Sequence, residues 1–436
     1  MTRTQIENVE RVVRWQLCMG CGACVHACPA DAIQLLDFPD QGLRPILDLS
    51  RCQKCRRCVE VCPGIGAAHQ PFSSETIPEL REAWGPVLTI WEGYATDPEI
   101  RLRGSSGGVV TALSLFCLEK QEFSGVLHIR PNSEIPWQNA PAFSKSRQEL
   151  LALTGSRYSP AAPCQKLDWI EQAESKCVLV GKPCDVTALR KSQLANPALS
   201  PKVGLAISLF CAGTPCTQGT KVLLEALGVE ADEVAELTYR GSGWPGLTTV
   251  KLKASNGEQR EMTYAESWGS ILSKHGQFRC RLCPDGTGEF ADISCGDAWH
   301  RQSGPSESGW SIVLARTETG KDILQKAVQE GYLKLSRVEP GTLPESQKPL
   351  LEKRRKVWGH LLGRRMVRAA VPRFEGFCLL ASWHALPVNE RLKSVSSTLV
   401  GTVRQKLFNL RKPSRKQEPP INSKSQWYKY QARLQR

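Results

Sequence analysis

Two copies of one cysteine run carry the most specific chemistry in this 436-residue chain: Cys18-x2-Cys21-x2-Cys24-x3-Cys28-Pro29 and Cys52-x2-Cys55-x2-Cys58-x3-Cys62-Pro63. Three thiolates two residues apart wrap one face of a [4Fe-4S] cubane, and the fourth points away toward the opposite cluster. The spacing therefore predicts one cluster on Cys18, Cys21, Cys24 and Cys62, and a second on Cys52, Cys55, Cys58 and Cys28. Gly20 and Gly22 give the first loop the backbone freedom to aim amides at sulfur, and Pro29 and Pro63 turn the chain after the last ligand. Structural zinc also takes four thiolates, but from paired Cys-x2-Cys units rather than three strung together and repeated with proline. A disulfide scaffold does not suit a chain of this length without a secretory leader.

A second constellation follows. Gly181-Lys182-Pro183-Cys184 comes just after one strand-like run, Val178–Val180, and Phe210-Cys211-Ala212-Gly213 just after the next. In an open α/β sheet the loops at strand carboxyl ends share one edge, where ligands bind, so these two cysteines can converge. Cys280-Arg281-Leu282-Cys283 is a two-residue-spaced half site. The four thiolates suffice for a third [4Fe-4S] cluster; the alternative is buried free cysteines beside a redox-inert pair. Upstream, Gly104-Ser105-Ser106-Gly107-Gly108 opens a helix-spaced run at Val109, Ala112, Leu113, Phe116 and Cys117. A glycine-rich turn before a helix N-terminus offers N–H groups and the positive end of a dipole to phosphate. Ser105 and Ser106 add hydroxyl donors, although a plain turn has the same composition.

These motifs, in this order and followed by Ala291-Asp292-Ile293-Ser294-x-Gly296-Asp297-x-Trp299, resemble the coenzyme F-420 hydrogenase/dehydrogenase beta-subunit family, in its form with an N-terminal two-cluster ferredoxin. The likeness covers roughly residues 15–320, and residues 15–70 resemble bacterial two-cluster ferredoxins. The resemblance implies a bound FAD and a [4Fe-4S] cluster in the large domain, with Cys184, Cys211, Cys280 and Cys283 at the matching positions. Gly104, Ser105, Ser106, Gly107 and Gly108 are then the expected flavin-phosphate cradle. Lys182 is expected to set a cation near the flavin ring, unless it is a surface lysine. Asp297 is expected to bond a flavin or substrate hydroxyl, or to cap a turn. His275 and His300 read as ordinary polar residues. Cys164, Cys216 and Cys295 are additional cysteines in the same region, so the choice of ligands stays open.

The elements that must position these residues point to an α+β or α/β fold. A ferredoxin-like domain spans 1–70, a polar, proline-punctuated linker 71–86, a mixed-sheet flavin-binding domain 87–340, and a helical, basic extension 341–436. Strands are expected at Val126–Ile129, Val178–Val180, Val203–Phe210 and Ile312–Ala315. Helices are expected at Thr217–Leu227, capped by Gly228, and near Lys321–Gln329, with Asp185 as an N-cap. Asn256-Gly257 marks a hairpin.

The net charge of +14 is a property of the tail: residues 391–436 hold twelve Lys/Arg against one acid, Glu418. Trp427, Tyr428 and Tyr430 add aromatics there, but no nucleic-acid motif appears. No apolar run reaches 18 residues and the N-terminus lacks an apolar leader, so a cytoplasmic protein without a transmembrane segment is expected. The function expected is an iron–sulfur flavoprotein oxidoreductase. It exchanges a hydride with coenzyme F-420 or an organic substrate at FAD, and single electrons with a ferredoxin-like carrier protein or a partner redox subunit. The alternative is an electron-relay subunit of a larger complex, without its own substrate site.

Overall fold

The computed structural model describes residues 6–241, 243–253, 257–301 and 308–404. Its centre is an eight-stranded mixed sheet in the order Leu333–Arg337, Thr89–Ala95, Ser311–Ala315, Ile293–Asp297, Val203–Leu209, Cys177–Gly181, Gly125–Pro131, Asn139–Ser144. The four neighbours from Ile293–Asp297 to Gly125–Pro131 run parallel. Thr89–Ala95 points the same way, because it and Ile293–Asp297 are both antiparallel to the strand between them.

Strands buried on both faces need apolar residues in register with the pleat. Val126, Val178 and Leu205 point into one core, against Leu113 and Phe116 of the Val109–Lys120 helix. Their successors Leu127, Leu179 and Ala206 point into the other, against Val186 and Leu189 of the Pro183–Ala195 helix. The expected strands and helices are all present. The Leu247–Leu252 and Gln259–Thr263 strands pair antiparallel as the hairpin signal requires, while residues 254–256, which include Asn256, lie outside the described residues.

Two expectations change. Asp185 is not the N-cap but the third residue of its helix; Lys182 occupies the cap, and the Asp185 carboxylate accepts its N–H at 3.0 Å. Proline at the first helical position fixes the start three residues earlier than the acidic signal suggested. The stretch read as a linker contains the helix Pro78–Trp84. Its Leu80 and Trp84, four residues apart and so on one face, pack with Val87, Ile90 and Ile312.

The extension is helical through Lys348–Met366, Leu379–His384 and Val388–Arg404, and it returns to the front module. Arg373–Glu375 pairs in parallel with Gly66–Ala68. Val357, Leu361 and Phe377 share a core with Val12, Trp15 and Leu17. Most of the basic tail, including Trp427, Tyr428 and Tyr430, lies outside the described residues. Among the described residues no helix is long and apolar enough to cross a membrane.

Candidate functional site

The eight front cysteines fall into two sets. Burial pushes the Cys24 thiol up, and charge on Cys18 and Cys62 pushes it further. Cys21 is raised by burial first, then by Cys24 and Cys62. Burial likewise raises Cys58, with Cys55, Cys28 and Cys52 adding to it. Cys62 thus lies near the thiols of the first block and Cys28 near those of the second, and Cys24 also faces Cys58. Backbone amides point at sulfur: Gly20 N–H donates to Cys18 Sγ at 3.4 Å and Ala32 N–H to Cys28 Sγ at 3.3 Å. Gly22 is left-handed, at φ +88°, and a Cβ there would stand 2.7 Å from the Gln165 nitrogen. The large domain thus roofs the first loop, and Cys164 N–H donates to the Cys21 carbonyl at 3.1 Å.

A third set gathers at the carboxyl edge of the parallel strands. Cys184 starts the helix after Cys177–Gly181, Cys211 follows Val203–Leu209, and Cys280 and Cys283 flank the end of the Phe278–Leu282 turn. Burial pushes Cys211 up to about 11, and Cys280 and Cys283 contribute to the rise. Cys184 is raised by burial first, with Asp185, Cys211 and Cys21 adding. Thr214 N–H donates to Cys280 Sγ at 3.4 Å.

All of these cysteines are free thiols. Iron binds the thiolate. Burial and mutual repulsion oppose the thiolate at Cys21, Cys24, Cys58, Cys184 and Cys211, so a cation-rich centre suits them. Among the described residues no three His, Cys, Asp or Glu side chains close around a single-ion position; the fit to a cluster rests on the four-thiol grouping. The other cysteines have different surroundings. Cys164 uses its S–H to donate to the Asp185 carbonyl at 3.3 Å. Cys216 is raised by burial, and the carboxylates that add to it are Asp40 and Asp37. Cys295 is raised by burial alone, inside the sheet core.

The glycine-rich loop lies on the same edge, at the end of Thr89–Ala95. Ala95 N–H donates to the Gly107 carbonyl at 2.7 Å, and Gly107 N–H to Ser311 Oγ at 2.9 Å. Gly108 is left-handed, and a Cβ on Gly104 would stand 2.8 Å from its Cα, so the turn closes only with glycine. The first-turn N–H groups of Val109–Lys120 have no partner within the helix. The two serine hydroxyls do not add donors as expected. Ser105 Oγ accepts Ser156 N–H at 2.7 Å and donates to the Arg240 carbonyl at 3.3 Å; Ser106 Oγ donates to the Trp310 carbonyl at 2.9 Å. They hold the loop in place.

Lys182 and Asp297 are both held in ion pairs. Lys182 Nζ sits 2.7 Å from Asp185 and 3.3 Å from the Ala161 carbonyl. Burial works against its charge, but Asp185, Cys184 and Cys211 more than offset it, and the ammonium is held protonated. It stands beside the third cysteine set, four strand positions from the glycine loop, about 19 Å at the usual strand spacing. Asp297 gives both oxygens to Arg240, at 2.8 and 3.0 Å, and accepts Trp244 Nε1–H at 2.8 Å. Arg240 and this pair were missed from the sequence, where only a charged residue closing a strand-like run marked them. Trp299 stacks near Trp244 and Tyr264, with ring centroids 5.4 and 5.7 Å away. His300 pairs with Glu92 at 3.0 Å.

Comparison with known proteins agrees with this geometry. Residues 90–167 match the N-terminal model, and residues 174–341 the C-terminal model, of the coenzyme F-420 hydrogenase/dehydrogenase beta subunit. Residues 17–64 match a 4Fe-4S dicluster domain. The chain is 29% identical over 296 residues to the coenzyme F-420 hydrogenase subunit beta of Methanosarcina barkeri, covering 62% of this chain and 91% of that one. It is also 29% identical over 302 residues to the same subunit of Methanococcus voltae, covering 66% and 99%. A chain of the F-420-reducing [NiFe] hydrogenase complex from Methanosarcina barkeri superposes with a TM-score of 0.52 at 25% identity, covering 65% of this chain and 94% of that chain. With both halves of the large domain matched in order behind a dicluster module, the chain belongs to the coenzyme F-420 hydrogenase/dehydrogenase beta-subunit family.

Proposed function

We propose that the chain is a flavin and iron–sulfur oxidoreductase. In this reading FAD lies along the carboxyl edge of the sheet, between the Gly104–Gly108 turn and the third cysteine set. Cys184, Cys211, Cys280 and Cys283 hold a third [4Fe-4S] cluster. The observation that supports the reading is that Cys21 packs in one core with Val186 and Ala188 of the helix that carries Cys184. Cys24 in turn lies in the small core against which Cys52 and Cys58 pack, which continues the line to the second set.

A bound flavin would supply exchange between a two-electron hydride and single electrons, which clusters alone cannot perform. The chain's own residues have distinct tasks. The glycine turn and the amides of the Val109–Lys120 helix hold a phosphate. Asp297 fixes Arg240 behind the turn through the Ser105 bond. Lys182, kept charged by Asp185, would favour the more negative, reduced form of a cluster held by the neighbouring thiolates. The hydride partner is coenzyme F-420 or an organic substrate, and the one-electron partner is a ferredoxin-like carrier or a redox subunit.

Cofactor analysis of anaerobically purified protein tests this reading: about twelve iron atoms and one flavin per chain are expected. About eight iron atoms, or iron without flavin, would overturn it. The solved relative is a chain of a multi-subunit complex, which favours a second reading as a relay subunit without its own substrate site. Turnover of a hydride donor by the isolated chain separates the two.

A further inference from the structure

The two cluster-binding loops are repeats of one another, yet their surroundings are opposite. Gly20 and Gly22 of the first loop correspond to Lys54 and Arg56 of the second. All four are left-handed, at φ +72° and +88° in the first loop and +55° and +66° in the second. Glycine takes this conformation freely, whereas an L side chain adopts it at a cost. In the first loop glycine is enforced by close neighbours: a Cβ on Gly20 would meet the Leu43 carbonyl oxygen of the module's own hairpin at 2.9 Å, and one on Gly22 would meet the Gln165 nitrogen of the large domain at 2.7 Å. In the second loop Lys54 and Arg56 are exposed. Glycine would serve the backbone better there, and two cations stand in its place.

They are part of a larger rim. Arg51, Lys54, Arg56 and Arg57 are all exposed, and along the chain they flank Cys55, which is itself exposed. Cys18, Cys21 and Cys24 of the first loop are buried, and Cys184, Cys211, Cys280 and Cys283 are at least partly covered. Between Asp48 and Glu60 the four cations face only those two acids. None of the four makes an ion pair among the described residues. The second set therefore ends the line of thiols at the protein surface, on a loop whose exposed cations make no ion pair among the described residues.

Resting on the electron-transfer reading above, we propose that the Arg51–Arg57 rim docks an acidic one-electron carrier protein, with the exchange passing through the cluster at Cys55. One electron leaves that cluster for the oxidised carrier, or arrives from the reduced one; no bond is made or broken. Opposite charge steers the encounter, so association is fast and weakens with salt.

The test uses the full-length, anaerobically purified protein and its K54G/R56G variant, which gives the second loop the glycines of the first. The probe is an acidic bacterial [4Fe-4S] ferredoxin, with basic cytochrome c as control. Binding is measured by calorimetry and the rate of electron exchange by stopped flow after reduction with dithionite, so neither readout needs the flavin. The expected result is binding to the ferredoxin that falls steeply between low and high salt. The variant should bind about tenfold more weakly while retaining its iron and melting temperature. Ferredoxin affinity unchanged in the variant, or equal binding of cytochrome c, overturns the proposal. So does loss of binding to anionic phospholipid vesicles in the variant while ferredoxin binding persists, which would assign the rim to a membrane surface. A chain lacking flavin or the third cluster but still binding ferredoxin through the rim would sink the proposed function and leave this inference standing.

Discussion

The guanidinium of Arg279 donates from Nε to the carbonyl of Gly64 at 3.2 Å, tying the residue before Cys280 to the turn just after Cys62. A second bond, to the Pro63 carbonyl, is 3.4 Å. Arg279 is fully buried, so its charge is secured by the front module, and the front module is oriented by it. One cysteine of the first front set and one of the third set are thus linked through a single side chain.

Arg279→Met keeps the bulk and removes the donors. Leaving buried carbonyls unsatisfied costs about 1–3 kcal/mol, so the variant should unfold at lower denaturant concentration. The looser junction should also slow passage of electrons between the third and first sets. Denaturation curves and stopped-flow reduction monitored at the cluster bands check the two effects.

The cysteine sets predict which thiols matter for iron. Cys184→Ser combined with Cys280→Ser should lower the iron content by about four atoms per chain. Cys164→Ser and Cys295→Ser should leave it unchanged, because their sulfurs are committed to packing and to the Asp185 carbonyl. Iron and sulfide assays decide this, and a loss of iron in Cys164→Ser would reassign the ligands.

Asp297→Ala strands Arg240, whose side chain is only 2% exposed. Breaking a buried pair by removing one partner costs about 3–5 kcal/mol. Arg240→Met in the same background removes the stranded charge and should recover part of the loss. A double-mutant cycle by chemical denaturation measures the coupling, and additive effects would show that the pair is not a unit.

Burial pushes His128 down to about 4 from its ordinary value of 6.5, with Glu149 partly opposing the fall. The folded ring refuses a proton that the unfolded chain accepts. Its contribution is therefore fully present above pH about 6.5 and is lost as the pH falls toward about 4. Between pH 7 and 5 this should remove about 1–2 kcal/mol of stability. His128→Gln retains a partner for Ser144, whose hydroxyl lies 2.8 Å from the ring, and should flatten that part of the pH dependence relative to the parent. Parallel slopes in the two proteins would contradict it.

Local spacing alone determined a good deal. The front two-cluster module was legible because a cysteine run of this spacing, repeated with proline, is hard to read as anything else. The strands Val203–Leu209 and Cys177–Gly181 were legible because a strand covered on both faces needs continuous apolar residues. The glycines of the 104–108 turn were legible because only they fit so tight a return.

Tertiary structure decided the rest. The partners of Lys182 and Asp297 could not be read from the sequence, because a charge buried by folding takes the nearest opposite charge. That turned out to be Asp185 for the first and Arg240 for the second. The helix at Pro78–Trp84 hid in a polar, proline-marked stretch because two apolar residues suffice when a core lies beneath them. The difference between the repeated loops was invisible in their spacing; it depends on which one the large domain covers. Sequence distance carries no information about that, because it is set by how the two domains pack.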